Sequence, residues 1–188
     1  MRSHRLVAPL AAMAIVGLLA GTPAASATTT SPCRVSWGSV ARSEPAMTPA
    51  PILNARVGRH ECFDRLVIDI EGPAGGYDIR YTDGFRNSAS GEPIPVAGGA
   101  VLTVAVHAPE YDVNTGSPTV PWREGTLVAA SQLASGGFRT FRDLVAGVSF
   151  EGVSDFGLGV RARLPFRVFK LDGPGTHSRI VVDVAHRW

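Results

Sequence analysis

From residue 52 onward the chain alternates apolar and polar side chains at intervals of two, the spacing of strands with one face in a core. The clearest case is Arg65-Leu66-Val67-Ile68-Asp69-Ile70. Leu66, Ile68 and Ile70 point one way there, and Arg65, Val67 and Asp69 the other. The same pattern predicts strands over 52–57, 77–81, 101–107, 148–151, 156–164, 166–171 and 179–185. One stretch departs from it: Phe138, Phe141, Leu144 and Val145 stand at i, i+3, i+6 and i+7, which fits one or two helical turns and equally an irregular strand. Pro and Gly gather in 41–51, 84–99 and 109–121, which read as loops, while Glu71-Gly72-Pro73 and Asp172-Gly173-Pro174-Gly175 read as turns. About eight short strands and at most one short helix predict an all-β fold: a single β-sandwich or a partly closed barrel.

The N-terminus follows a different rule. Arg2 and Arg5 precede an uncharged apolar run over 6–20, and Ala25-Ser26-Ala27 supplies small residues for cleavage, so residues 1–27 read as a secretory signal. The run falls short of the roughly 20 residues that cross a bilayer, so stable membrane insertion after cleavage is not expected. Residues 28–51 then form an N-terminal segment with a Pro-rich linker, and 52–188 the sandwich. Arg2 and Arg5 are the only ionised side chains ahead of Thr28. Removing them from the eighteen basic groups leaves sixteen, equal to the sixteen acidic ones. A neutral domain has no polybasic footprint for nucleic acid. Both cysteines, Cys33 and Cys62, lie beyond the leader, and an even count in an exported chain favours a disulfide. The competing reading, a reactive thiol at Cys62, would use His60, two residues away.

The chain also echoes itself: Arg65-Leu66-Val67-Ile68-Asp69-Ile70 returns as Arg179-Ile180-Val181-Val182-Asp183-Val184, with His60 and His177 ahead of the two copies. Either two amphipathic strands have converged on Arg–Asp pairing with their neighbours, or an internal symmetry relates the two sheets of a sandwich.

The segments Gly58-Arg59-His60, Cys62 to Asp69, Gly76-Tyr77-Asp78-Ile79-Arg80-Tyr81, Phe150-Glu151-Gly152 and Phe156-Gly157-Leu158-Gly159-Val160-Arg161, followed by Arg163 to Phe169 and Arg179 to Val184, resemble the AMIN-like domain proteins of actinobacteria. The resemblance runs from about Ser36 to the C-terminus and rests on structural motifs. It implies likeness to the AMIN domain, a β-sandwich that accompanies cell-wall amidases and secretins and targets them to peptidoglycan. By analogy, the partner expected here is cell-wall glycan or a wall-associated protein.

Catalytic patterns are lacking. The four histidines beyond the leader, His60, His107, His177 and His186, show no zinc-ligand spacing, although His60 and His177 would meet if the echoed strands were neighbours. Gly147-Val148-Ser149-Phe150-Glu151-Gly152 lacks the frame of a nucleophile elbow, and Asp155-Phe156-Gly157 has no phosphate loop to accompany it. No catalytic residue, metal or cofactor is therefore expected. A ligand would be held at the surface, by arginine forks on carboxylates and by loop aromatics. The candidates are Arg80 and Tyr81 at the end of a strand, Arg161 and Arg163 on the face opposite Leu158, Val160 and Leu164, and Tyr111 and Trp122 in the long loop. Trp122 would alternatively pin that loop to the domain. The sequence thus points to an exported, non-catalytic wall-binding module. A partner-binding or ligand-carrying sandwich unrelated to peptidoglycan, the carrier version marked by an apolar cavity between the sheets, and a wall hydrolase with residues gathered from several strands are the other readings.

Overall fold

In a computed structural model, residues 33–188 are described, so the leader assigned to 1–27 lies outside the described residues. The strands in chain order are β1 (Arg42–Glu44), β2 (Ile52–Arg59), β3 (Phe63–Ile70), β4 (Tyr77–Thr82), β5 (Phe85–Arg86) and β6 (Pro93–Ile94). They continue with β7 (Ala100–Val106), β8 (Phe141–Phe150), β9 (Val153–Val160), β10 (Phe166–Asp172) and β11 (Ser178–Ala185). One helix, α1 (Ala130–Ser135), precedes β8. A five-stranded antiparallel sheet in the order β1-β4-β7-β9-β8 faces a four-stranded one in the order β10-β11-β3-β2, with a small β5–β6 hairpin apart, and no sheet closes into a barrel. The fold is the expected all-β sandwich, with three more strands than foreseen because β1, β5 and β6 are only two or three residues long.

The inner faces meet as the alternation requires. Leu66, Ile68, Ile180, Val182 and Val184 oppose Leu102, Val104, Phe156, Leu158 and Val160, all fully buried in one cluster. Each such side chain contributes about 1.5–3 kcal/mol on leaving water, and together they fill the space between the sheets. Phe138 to Val145 is not helical: its second half is the start of β8. A bulge between Phe141 and Asp143 shifts the register there, so Phe141 and Leu144 both reach the core although three residues apart.

The echoed strands β3 and β11 are hydrogen-bonded neighbours within one sheet, not counterparts in two. Arg65 stands opposite Asp183 and Arg179 opposite Asp69. Because the pair runs antiparallel, His60 and His177 lie at its opposite ends and cannot share a ligand.

Both open sides of the sandwich are closed by irregular chain. On one, the disulfide Cys33–Cys62 ties the N-terminal segment to the turn before β3, Trp37 rests edge-on against Phe63, and Lys170 of β10 pairs with Glu44 of β1. Closing a loop of this length stabilises the fold by about 3–4 kcal/mol in the chain-entropy treatment, and it removes Cys62 as a thiol. On the other side, the backbone of 125–128 hydrogen-bonds along β8, through Gly125 and Val128 N–H to Ala146 and Leu144 carbonyls at 2.9 and 2.8 Å. The Gln132 side chain of α1 accepts from the Val57 N–H of β2 at 2.9 Å.

Candidate functional site

The outer face of the five-stranded sheet is built from β4, β7, β8 and β9. Register sets Arg80 beside Thr103 and Thr103 beside Gly157, and likewise Thr82 beside Val101 and Val101 beside Gly159. Glycines at alternate positions of β9 leave a furrow along this face, and the β5–β6 hairpin lies in it. A Cβ on Gly157 would stand 2.6 Å from the Phe85 ring and 2.7 Å from Val96, and one on Gly147 2.8 Å from Phe85. Phe85, Ile94 and Val145 form a second small core under the hairpin, with Val96 and Val101 packed against it.

Beside the seated hairpin the face stays open as a groove of about 520 Å³ lined by Arg80, Thr82, Arg86, Asn87, Thr103 and Asp155, among others. Arg80 and Arg86 are exposed. Among the described residues neither is in an ion pair, and Arg86 donates only to the Gly91 carbonyl at 3.1 Å. Thr82 and Thr103 place their hydroxyls 2.8 Å apart. Asn87 is held rigid: its carbonyl oxygen accepts the Ala89 and Ser90 N–H groups and its amide donates to Glu124. Asp155 sits largely out of water, so burial raises its carboxyl above the ordinary range, partly offset by the Ser88 hydroxyl and by the charges of Arg80 and His107. A second hollow of about 390 Å³ shares Thr82 and Asp83 with the groove and is bordered by Tyr81, Gly98, Gly99 and Arg163.

The residues singled out from the sequence divide among these places. Arg80 lies in the groove, while Tyr81, its neighbour on the strand, faces the other way. The Tyr81 ring packs edge-on against Phe166, its hydroxyl donates to the Leu164 carbonyl at 2.8 Å and accepts the Leu164 N–H at 3.0 Å, and burial pushes the phenol up from its usual value. The Arg163 guanidinium lies 5.3 Å from the Tyr81 ring centre and donates to Ser39. Arg161 and Arg163 are not strand residues, because β9 ends at Val160. Arg161 instead turns to the C-terminus and donates to the His186 carbonyl at 2.5 Å. Tyr111 lies half-buried in a bridge to Pro118. Trp122 anchors its loop, donating to Glu110 at 2.9 Å and meeting Phe156 edge-on. Three of the six therefore surround the end of β4, and Arg161, Tyr111 and Trp122 stand elsewhere. Arg86, Thr103 and Asp155 were missed. The signal available for them was the glycine alternation Gly157-x-Gly159, which needs something lying on that face.

The arrangement offers donors, hydroxyls and a shielded carboxyl, suited to holding a hydroxylated, charged ligand. The two histidines with ring hydrogen bonds among the described residues, His107 and His186, each face a carboxylate and a carbonyl rather than a serine. Among the described residues no group of three His, Cys, Asp or Glu side chains could hold a metal ion, and no helix is long and apolar enough to cross a membrane.

Residues 50–186 match the model of the AMIN-like domain. The chain belongs to the AMIN-like domain family. Neither the curated proteins nor the solved structures compared with it give a match. For an AMIN-like domain the general role is association with peptidoglycan outside the cytoplasm, as a binding rather than a catalytic domain. The groove and its hairpin lie wholly within the matched span, as do all the sequence candidates.

Proposed function

We propose that this AMIN-like protein is exported and binds the cell wall, or a polymer attached to it, without altering it chemically, and that the outer groove of the five-stranded sheet is where it binds. The observation carrying this reading is the pair of exposed guanidinium groups, Arg80 and Arg86, neither in an ion pair among the described residues, beside the Thr82–Thr103 hydroxyl pair. Exposed arginine forks that are not engaged in an ion pair can grip the carboxylates of wall peptides in two-pronged fashion, and fixed hydroxyls complement sugar hydroxyls. The Tyr81–Arg163 hollow adjoins the groove only at Thr82 and Asp83, around the end of β4. The filled space between the sheets favours surface binding over carriage of an enclosed ligand.

The test is retention of the protein lacking residues 1–27 on purified sacculi. Changing Arg80 and Arg86 together to Gln is expected to cut the retained fraction several-fold. It should also flatten its decline with added salt, since exposed charge pairs are screened. Retention unaffected by the double change would remove the groove, no retention at all would remove the wall, and release of muropeptides or reducing ends by the pure protein would overturn the non-catalytic reading.

A further inference from the structure

The outer face of the other sheet carries an unbalanced charge pattern. In the β3–β11 register two Arg–Asp pairs are related about the central Val67–Val181 pair: Arg65 opposite Asp183, and Arg179 opposite Asp69. Only the first closes. Arg65 grips Asp183 with two bonds of 2.6 and 2.9 Å, and Arg167 adds a third at 2.8 Å. Asp69 is taken instead by Arg56 of β2, through bonds of 3.0 and 3.1 Å. Arg179 is left over. Among the described residues its one hydrogen bond runs from Nη2 to the Asp172 carbonyl and is long, at 3.4 Å, and its buried Nε meets no acceptor. A buried donor left unpaired is costly to the fold, so it is kept where something else completes it.

Around this guanidinium lies a hollow of about 240 Å³, rimmed by Arg56, His60 and Arg65 and floored by Val67 and Val181. Three arginines against two aspartates leave one positive charge in it. Arg167, the other holder of Asp183, lies over the Trp37 ring at 4.4 Å and does not line the hollow. One uncompensated guanidinium fits a monoanion with two oxygens in a plane, since Arg56 and Arg65 already spend their forks on aspartates. The apolar floor suits a short aliphatic group next to that charge.

We infer that this hollow is a binding site for a small carboxylate borne on a short apolar group, such as an acylated alanine at a peptide end, with Arg179 as the residue that holds the carboxylate. To engage both oxygens the guanidinium gives up the long contact to Asp172 and brings Nε to an acceptor. The site is on the opposite sheet from the groove and does not depend on the function assigned to it.

The test follows the Arg179 Nε–H resonance of the nitrogen-15-labelled protein as N-acetylalanine is added, with N-acetylalanine methyl ester as the uncharged control. A saturable shift of Arg179 with the acid and none with the ester is expected, weakening as salt is raised. Arg179→Gln should abolish the binding, read from backbone amides around Val67 and Val181. Arg179→Lys, which keeps the charge but not the fork, should weaken it several-fold while the rest of the amide spectrum shows the fold intact. Equal shifts with acid and ester, no saturation, wild-type binding by Arg179→Gln, or inorganic phosphate binding as tightly as the acid would each overturn the assignment. Sacculus retention is a separate measurement, so a failed groove and a failed carboxylate site are told apart.

Discussion

Replacing Asp64 by Ala should be among the most damaging single changes in this protein. The Asp64 carboxylate is fully buried and joins three segments that are distant in sequence. One oxygen accepts the backbone N–H groups of Thr140 and Phe141 at 2.6 and 3.0 Å, and the other meets His186 Nε2 at 3.0 Å. His186 in turn reaches the Glu61 carbonyl through Nδ1 at 3.1 Å. Each hydrogen-bonding group stranded in the interior, the two backbone N–H groups and the His186 ring nitrogen, costs about 1–3 kcal/mol. These losses overlap, so the expected total is about 3–5 kcal/mol. For a domain of this size that corresponds to a fall of roughly 10 °C in the unfolding midpoint. Urea unfolding followed by tryptophan fluorescence measures it, and His186→Ala with the double variant isolates the coupling between the two side chains. A loss below about 1 kcal/mol at unchanged denaturant slope would refute the view that this carboxylate fastens the start of β8 and the C-terminal tail to β3.

The remaining predictions concern charge and space. Burial raises the Glu110 carboxyl above its ordinary range, ahead of the repulsion from Asp155 and against the Trp122 bond. The fold therefore favours the neutral form, and ionisation weakens it as pH climbs from the ordinary carboxylate range through the raised one. Glu110→Gln, which can still accept from Trp122, should raise the thermal midpoint at neutral pH. That gain should vanish below about pH 4, where the unfolded carboxyl is also protonated; an equal gain at both pH values would contradict it. Gly157→Ala should cost about 1–3 kcal/mol by overpacking and loosen the β5–β6 hairpin. Limited proteolysis should then cut faster within 84–99, and unchanged cutting would mean that the hairpin does not depend on the furrow.

How much of this was legible depended on how regular each element is. The long strands carry their alternation openly, and all eight predicted runs fall on strands, some with shifted ends. The bulge in β8 disguised its own strand, because an extra residue turns a period of two into a spacing of three and mimics a helical turn. The helix that does form, Ala130–Ser135, buries none of its residues fully and so leaves no apolar stripe to read. The hairpin was hidden for another reason: two-residue strands are too short to show periodicity, and their position is recorded only in the glycines they lie upon. Neighbouring residues of a strand point to opposite faces, which is why Arg80 and Tyr81, paired as candidates, lie on different surfaces. Arg161 has no such local cue, since its partner is a carbonyl contributed by the far end of the chain.

The segment that closes the β2–β8 side has one more consequence. β2 and β8 are terminal strands of their sheets, and a terminal strand with free N–H and C=O groups is a template on which another chain can add. Residues 125–128 occupy the free row of β8 while Gln132 and Gly137 engage β2 through Val57 and Arg59, so a single stretch of chain guards both edges. Undocking it would bare two pairing edges at once, one from each sheet. A change as mild as Gln132→Ala thus bears on self-association at high concentration more than on the stability of the isolated domain.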